Sequence, residues 1–212
     1  MQQVVWIARH GNRQDFVDPN WRSGAARPFD PGLSEDGIEQ AKRLGRRLVG
    51  EGISRIFASP FLRTVQTAHY VAEAIDAPIY LEPGICEWLN AEWFHTSPAL
   101  LPAERLAVQF PRIDPEYEPV LVPEYPETAD EAYLRAGHTA RLLARRYVGT
   151  VLLVGHGMSV CGAAQGLAED IGEFECALCS VVKLVQDEGI WRAELCGDVS
   201  HLEESVGADR FV

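Results

Sequence analysis

Short apolar segments alternate with amphipathic helical segments along this chain, and this alternation limits the folds it can adopt. Residues 3–8, 53–58, 79–81 and 150–154 are apolar and too short to form helices of their own, so they predict buried strands. Residues 181–185 and 190–195 flank Asp187-Glu188-Gly189 and predict a β-hairpin. We therefore expect an α/β three-layer sandwich with a mostly parallel central sheet, one antiparallel strand and helices on both faces.

Helix start signals follow several of these segments. Ser34 predicts the cap of one helix, and Ser59-Pro60 predicts the start of another with Arg63 in its first turn. Thr128 and the glutamate three residues later form a capping box for a third helix, and residues 159–167 predict a fourth, rich in small residues. Each of these helices connects two predicted strands.

The length of 212 residues predicts a single domain, residues 1–212. The stretch from about 82 to 127 is irregular, rich in proline, and carries Trp88 and Trp93. We expect it to be an inserted cap over the active face. The two tryptophans would either stack on a flat leaving group or form the small core of this cap.

The formal net charge of −12 disfavours broad binding to nucleic acid or to anionic membranes, since both need a positive surface. The first residues show no basic leader or cleavage signal, and no run approaches the roughly 20 apolar residues that span a bilayer. The five cysteines are odd in number and scattered, which favours a reducing compartment over a disulfide framework. A cytoplasmic location and no bound metal are the resulting expectations.

Two histidines, each followed by glycine, come directly after two different predicted strands. They are His10, within Arg9-His10-Gly11, and His156, within Gly155-His156-Gly157. The carboxyl ends of parallel strands share one edge of the sheet, so we expect both rings in one crevice. A histidine that attacks phosphorus presents one unprotonated ring nitrogen while a backbone carbonyl holds the other. Gly11 would leave room for that approach and Arg9 would bind phosphoryl oxygens, although a purely structural histidine at a strand end fits the tripeptide as well.

Three motifs in sequence order carry a more specific signal: Arg9-His10-Gly11, Ser59-Pro60-Phe61-Leu62-Arg63-Thr64, and Gly155-His156-Gly157. Together they resemble the signatures of the histidine phosphatase superfamily, also called phosphoglycerate-mutase-like. The resemblance is closest to phosphatase domains of the T-cell ubiquitin ligand and ecdysteroid-phosphate phosphatase types. Arg13 with Asp15 and the segment Glu82-Pro83-Gly84-Ile85-Cys86-Glu87-Trp88 support this subgroup.

The resemblance implies a role for each matching residue. His10 would be the nucleophile, Glu87 the general acid and base, and His156 a catalytic donor to the transferring group. The phosphate-binding set would comprise Arg9, Gly11, Arg13, Arg63 and His156. Fixed cations stabilise the charge that spreads over the equatorial oxygens, so no cofactor is required.

Local alternatives accompany these roles. Glu87 could be a solvated loop carboxylate, with Glu92 as the substitute acid, and Arg13 could be solvated. Arg63 could form a surface salt bridge, but an arginine in a first helical turn opposes the helix dipole unless an anion sits there. The other histidines, at positions 69, 95, 138 and 201, match no motif and are expected to be solvated or packing residues.

Two other functions remain open at this point. A phosphoglycerate mutase would share the phosphohistidine, but Asn12-Arg13 and Met158 depart from the mutase pattern. A non-catalytic phosphate-binding module would keep the arginines but lose turnover. The substrate is expected to be a small-molecule or peptidyl phosphomonoester, and the sequence decides neither its identity nor the oligomeric state.

Overall fold

Six strands form one mixed sheet in the computed structural model, which describes residues 3–202. In chain order they are β1 (Gln3–Arg9), β2 (Ile53–Ala58), β3 (Ile79–Leu81), β4 (Thr150–Gly155), β5 (Val181–Asp187) and β6 (Ile190–Asp198). Their order across the sheet is β3-β2-β4-β1-β5-β6. β1 to β4 run parallel to one another, whereas β5 is antiparallel to both of its neighbours. The predicted mostly parallel sheet with one antiparallel strand is confirmed.

Seven α-helices connect or precede these strands within residues 3–202. They are α1 (Gln14–Val17), α2 (Trp21–Gly24), α3 (Glu35–Leu48), α4 (Leu62–Ile75), α5 (Ala103–Gln109), α6 (Ala129–Arg146) and α7 (Gly157–Leu167). α3, α4, α6 and α7 are the helices that the sequence predicts. α1, α2 and α5 are short and lie in segments expected to be loops. None of the helices in the described residues is long and apolar enough to cross a membrane.

The two faces of the sheet carry separate hydrophobic cores, because side chains alternate along each strand. Trp6 and Ala8 of β1 are buried in the core that α3 and α4 complete. Val5 and Ile7 of the same strand are buried in the core that α6 and α7 complete. This arrangement confirms the three-layer sandwich with helices on both faces.

The predicted cap of α3 is confirmed, whereas the predicted start of α4 is wrong. The Ser34 hydroxyl accepts a hydrogen bond from the Gly37 N–H, as an N-cap does. α4 begins at Leu62, and the Leu62 N–H donates to the carboxylate of Asp30 at 2.7 Å. Asp30, from a distant loop, therefore accepts from the first N–H of the helix in place of Ser59. The Ser59 hydroxyl contacts His156 instead.

Residues 82–127 contain a short 3₁₀ turn, Pro83–Ile85, and helix α5. The buried carboxylate of Glu82 accepts hydrogen bonds from Tyr117 Oη at 2.8 Å and from the Val120 N–H at 2.9 Å, which ties the far part of the segment to the end of β3. A third apolar cluster forms around buried Phe61, Cys86, Leu89 and Phe94. We propose that this segment is the cap of a single domain.

Helices α6 and α7 approach each other so closely that their contact requires glycine. A Cβ added at Gly166 would collide with the Cα of Gly137, and one added at Gly162 would collide with the carbonyl oxygen of Tyr133. Because α7 begins directly after His156, this contact helps to fix the orientation of the helix beside the expected site.

We predict that Gly166→Ala lowers the free energy of unfolding by about 1–3 kcal/mol, because backbone has to shift to accommodate the methyl group. Urea unfolding followed by circular dichroism measures the change. Gly24→Ala is the matched control, since a Cβ at Gly24 meets nothing within 4 Å, and it should change stability by less than about 0.5 kcal/mol. Equal stability of both variants would contradict the packing argument.

Candidate active site

His10 and His156 lie side by side because they follow adjacent parallel strands. Arg9, the last residue of β1, pairs in register with Gly155, the last residue of β4. The two imidazole rings that come next are 5.2 Å apart between centroids in an edge-to-face arrangement. The proximity expected from the sequence is therefore present in the structure.

The ring of His10 is buried and is fixed through both nitrogens. Nδ1 lies 2.8 Å from the Gly11 carbonyl oxygen, which can only accept, so this nitrogen carries the proton. Nε2 accepts a hydrogen bond from Arg63 Nε at 3.3 Å. Burial, followed by the charges of Arg63, His156 and Arg9, holds the pKa of His10 well below its ordinary value. The ring is thus neutral, with the lone pair of Nε2 directed toward the guanidinium.

Arg63 stands at the centre of the site and is only 1% exposed. Its Nη2 lies 3.1 Å from Glu87 Oε2 and 3.1 Å from His156 Nδ1. Its Nη1 is buried and has no hydrogen-bond partner among residues 3–202. Burial, with the nearby charge of Arg13, lowers the pKa of Arg63 to about 10, so the side chain stays cationic at neutral pH. The alternative that Arg63 forms a surface salt bridge is therefore excluded, because the side chain is buried.

His156 joins the site to Ser59. Its Nε2 lies 2.8 Å from Ser59 Oγ, and its Nδ1 lies 3.3 Å from Glu87 Oε2. With its proton on Nε2 the neutral ring donates to Ser59 Oγ and accepts from Arg63 Nη2 at Nδ1. Burial lowers the pKa of His156 to about 4 and outweighs the opposite effect of Glu87.

Glu87 lies in contact with the basic cluster, and its side chain is 15% exposed. Burial alone would raise the pKa of this carboxyl, but the contacts with His156 and the charge of Arg63 outweigh it and hold the pKa below its ordinary value. Glu92, the alternative acid, is exposed, and its backbone N–H donates to Asn90 Oδ1. The structure therefore brings Glu87 to His156 and Arg63 and leaves Glu92 at the surface.

Arg9 and Arg13 border the same cleft from the first motif. Arg9 Nη1 donates to the Cys176 carbonyl oxygen at 2.7 Å. Arg13 forms a two-pronged pair with Asp15, in which Nε lies 2.8 Å from Oδ1, and its guanidinium stacks on Phe16. Arg13 is therefore partly enclosed and oriented, not free in solvent.

Gly11 is required by a contact that the sequence did not reveal. Its N–H donates to Thr67 Oγ1, and a Cβ at this position would lie 2.6 Å from the Gly37 carbonyl oxygen. The missing side chain thus makes room for the start of α3, which differs from the reason expected from the sequence. The assignment of Gly11 to the phosphate-binding set stays a prediction.

A cleft of about 610 Å³ opens in front of these residues. Arginines 9, 13 and 63 and Glu87 line its polar part. Its apolar wall is formed by Phe16, Trp21, Phe29, Trp88, Trp93, Phe94 and Met158. Trp88 and Trp93 pack edge-to-face at 4.9 Å, and Trp88 Nε1 donates to the Glu127 carbonyl oxygen. The tryptophans therefore line the cleft and are not part of the buried apolar cluster of the 82–127 segment.

Several contacts of the site were not predicted from the sequence. The sequence predicts Ser59 as a helix cap and indicates no role for Asp30, Glu127 or Arg135. Glu127 and Arg135 pair with each other eight positions apart, but the contacts of all four residues with the rest of the site span more than 30 positions, so no local pattern indicates them. The position of Ser59 at the end of the second predicted strand is the signal that could have placed it near the two histidines.

The remaining histidines lie outside this group of contacts. His95 and His138 are exposed, His69 packs on Phe110, and His201 contacts the Cys179 carbonyl oxygen. All five cysteines are unpaired. In the part of the chain that the structure describes, no group of three or more His, Cys, Asp or Glu side chains is arranged to hold a metal ion.

A family model described as the histidine phosphatase superfamily (branch 1) matches residues 5–199. The chain belongs to the histidine phosphatase superfamily. Membership confirms the family predicted from the three motifs.

Individual relatives fit this assignment. The human ubiquitin-associated and SH3 domain-containing protein A is 31% identical over 202 residues, which cover 75% of this chain and 30% of that protein. A probable phosphoglycerate mutase from Erwinia tasmaniensis is 27% identical over 95% of this chain and 96% of its own. The ecdysone phosphate phosphatase from Bombix mori, solved with tungstate, has the same fold, with a TM-score of 0.76 at 21% identity over 99% of this chain and 98% of its own. The chain spans about a third of the length of the first curated relatives it matches.

The buried neutral histidines predict a loss of stability in mild acid. The unfolded chain binds a proton at His156 near pH 6.5, whereas the folded chain does so only near pH 4. The stabilising contribution is therefore present above pH 6.5 and is lost as the pH falls toward 4. For His156 alone we expect the free energy of unfolding to fall by about 2 kcal/mol from pH 7 to pH 5. The lowered pKa of His10 reduces the stability in the same direction.

Urea unfolding at the two pH values measures this loss. His156→Gln should weaken the pH dependence, while His138→Gln, at an exposed histidine of α6, should leave it unchanged. An unaltered pH dependence in His156→Gln would show that this ring is not held neutral by the fold.

Proposed function

We propose that the chain is a metal-independent phosphomonoester hydrolase that forms a phosphohistidine on His10. The observation that carries this proposal is the pairing of His10 with Arg63. The unprotonated Nε2 of His10 lies 3.3 Å from Nε of Arg63, and the unpartnered Nη1 belongs to the same guanidinium, which lines the cleft. A phosphoryl group there would meet a nucleophile and receive the hydrogen bond that Nη1 lacks among residues 3–202.

The first half-reaction follows from this geometry. Nε2 of His10 forms a bond to phosphorus as the bond from phosphorus to the leaving oxygen breaks. The Gly11 carbonyl keeps the proton of Nδ1 and stabilises the charge that the ring gains. Arg9, Arg13 and Arg63 supply donors to the phosphoryl oxygens, where charge spreads in the transition state. His156 adds a further donor in the tautomer that carries the proton on Nδ1 and accepts from Ser59 at Nε2.

Glu87 is the group placed to protonate the departing oxygen. Its carboxyl is ionised in the free protein, so the proton has to arrive with the substrate. A phosphate monoanion brings that proton, and the resulting dianion offsets the field of Arg63 and favours the protonated carboxyl. In the second half-reaction the carboxylate accepts a proton from the water that attacks the phosphohistidine.

Metal independence rests on the cations that the chain itself supplies. In many phosphoryl transfers Mg²⁺ neutralises the developing charge and fixes the phosphate. Here three arginines border the cleft, and the Arg13 and Arg63 guanidiniums are oriented by the carboxylates of Asp15 and Glu87. Oriented guanidiniums match phosphate oxygens in geometry and in charge.

A mutase-type phosphotransferase is the nearest alternative, since a probable mutase aligns with nearly the whole chain. A mutase has to hold its phosphorylated substrate until the group returns to a second hydroxyl. The cleft offers aromatic side chains and Met158 where a small, highly polar substrate would need further donors. A non-catalytic phosphate-binding module is disfavoured because His156 contacts both His10 and Glu87.

The substrate class proposed from this site is a small-molecule or peptidyl phosphomonoester. Arginines border one part of the cleft, where a phosphoryl group would bind, and aromatic side chains form a wall for the leaving group. A cytoplasmic location and the absence of nucleic-acid and membrane partners are part of the same proposal.

We predict that hydrolysis of p-nitrophenyl phosphate persists in excess EDTA and falls by at least about 10³-fold in His10→Asn, which removes the nucleophile. The exposed His95→Asn is the matched control and should keep full activity. Rapid quenching with ³²P-labelled substrate should trap an acid-labile, base-stable label in the wild type only. Loss of activity on chelation, or turnover by His10→Asn, would contradict the mechanism.

The acid role of Glu87 predicts a dependence on the leaving group. Glu87→Gln should lower kcat/KM by about 10²-fold to 10³-fold for phenyl phosphate, whose phenol has a tyrosine-like pKa of about 10. The loss should be below about 10-fold for p-nitrophenyl phosphate, whose phenolate departs without a proton. Glu92→Gln is the matched control for the alternative acid and should leave both rates unchanged. Equal losses for both substrates in Glu87→Gln would refute the acid role.

A further inference from the structure

The segment that carries Glu87 is held from behind by an arginine of helix α6. Arg135 is 8% exposed, and its guanidinium reaches three successive parts of that segment. Nη1 donates to the Gly84 carbonyl oxygen at 2.9 Å, and Nη2 donates to the Glu87 carbonyl oxygen at 3.3 Å. Longer contacts of 3.4 and 3.5 Å reach the Cys86 carbonyl oxygen between them. Arg135 therefore holds the backbone within the 3₁₀ turn, at Gly84, and directly after it, at Cys86 and Glu87.

Glu127 completes this arrangement from the far end of the 82–127 segment. Its carboxylate accepts from Arg135 at two points, with Nε to Oε2 at 2.8 Å and Nη2 to Oε1 at 2.6 Å. The same Oε1 accepts the Leu89 N–H at 3.0 Å. The Glu127 backbone N–H donates to the Leu89 carbonyl oxygen, and its carbonyl oxygen accepts from Trp88 Nε1. The pair thus holds residues 84 to 89 along their whole length.

The chemistry of this pair requires these two residue types. Both side chains are nearly buried, at 6% and 8% exposed, so each needs the charge of the other. Burial alone would lower the pKa of Arg135, but the hydrogen bonds and charge of Glu127 outweigh it and raise the pKa. A guanidinium can bind a carboxylate and several carbonyl oxygens at once in one plane, which an ammonium group cannot do.

We propose that the Arg135–Glu127 ion pair is a positioning device that aims Glu87 at the leaving-group oxygen. This inference rests on the proposed function, in which Glu87 is the general acid. Arg135 and Glu127 act through the backbone of residues 84–89, and the Glu87 side chain then reaches Arg63 Nη2 at 3.1 Å and His156 Nδ1 at 3.3 Å. Neither member of the pair belongs to the lining of the cleft among the residues described.

The same pair also orients the aromatic wall. Trp88 follows Glu87 directly, its indole N–H is bound by the Glu127 carbonyl, and its ring packs on Trp93. A shift of the pair would therefore move the acid and the surface that faces the leaving group together. Proton transfer is sensitive to such shifts, since a displacement of about 1 Å can cost on the order of 10²-fold in rate.

The test compares kcat/KM for phenyl phosphate and p-nitrophenyl phosphate in Arg135→Lys and in Glu127→Gln. Both variants should lose roughly 10-fold more activity toward phenyl phosphate than toward p-nitrophenyl phosphate, because only the former needs the aimed acid. In the double variant Arg135→Lys with Glu87→Gln, the ratio of the two rates should equal that of Glu87→Gln alone. Arg141→Lys is the matched control on the same helix, as Arg141 binds the Gly166 carbonyl oxygen in α7, and it should leave the ratio unchanged.

Circular dichroism and thermal unfolding establish whether each variant is folded. If Arg135→Lys does not fold, the comparison is made with Glu127→Gln, which preserves the size of the side chain. Equal losses for both substrates in a folded variant would overturn the positioning role. A multiplicative effect in the double variant would overturn it as well. Equal losses in Glu87→Gln itself would instead refute the acid assignment, so the two failures are distinguishable.

Discussion

A buried guanidinium, that of Arg63, is the constraint on which the rest of the site depends. Removing a cation from water is expensive unless partners surround it. Arg63 has an anionic partner, Glu87, and two neutral imidazoles that can lie beside a cation without repulsion. Burial is the main cause of the lowered pKa values of His10 and His156, and the charge of Arg63 lowers both further. The same constraint keeps Nε2 of His10 unprotonated at neutral pH.

The sheet brings this cluster together, while the helices orient it. Adjacent parallel strands place His10 and His156 next to each other, so their distance depends on backbone pairing that is hard to deform. Arg63 arrives from the first turn of α4, whose amino terminus is satisfied by Asp30 from another loop. The glycine contact of α6 with α7 and the ion pair of Arg135 with Glu127 then hold the opposite side. Each side chain of this cluster is supported by a contact from a different part of the chain.

The sequence predicted what local periodicity and motif order can encode. The six strands, the four long helices and the meeting of His10 with His156 follow from apolar patterning and from the rule that parallel strands end at one edge. The start of α4 was wrong because Ser59-Pro60 has the local signature of a cap, while the observed partner of the Leu62 N–H is 32 residues away. Tertiary contacts of this kind override local preference and leave no periodic trace. The contacts of Arg135 with residues 84–87 were not predicted for the same reason, since an arginine on a helix face is ordinarily solvated.

The acidic composition of the chain is compatible with a phosphate site because the acidic groups near the cleft orient its arginines. Asp15 fixes Arg13 with two contacts, and Glu87 binds Arg63. At 0.15 M salt, charges separated by more than about 8 Å in solvent are largely screened, so the distant acidic surface contributes little to the potential inside the cleft. A phosphoryl group entering it meets oriented guanidiniums at close range and displaces part of their interaction with the carboxylates. A net charge of −12 therefore disfavours large polyanions at the surface and is still compatible with the proposed phosphomonoester substrate, which local, directional contacts would bind.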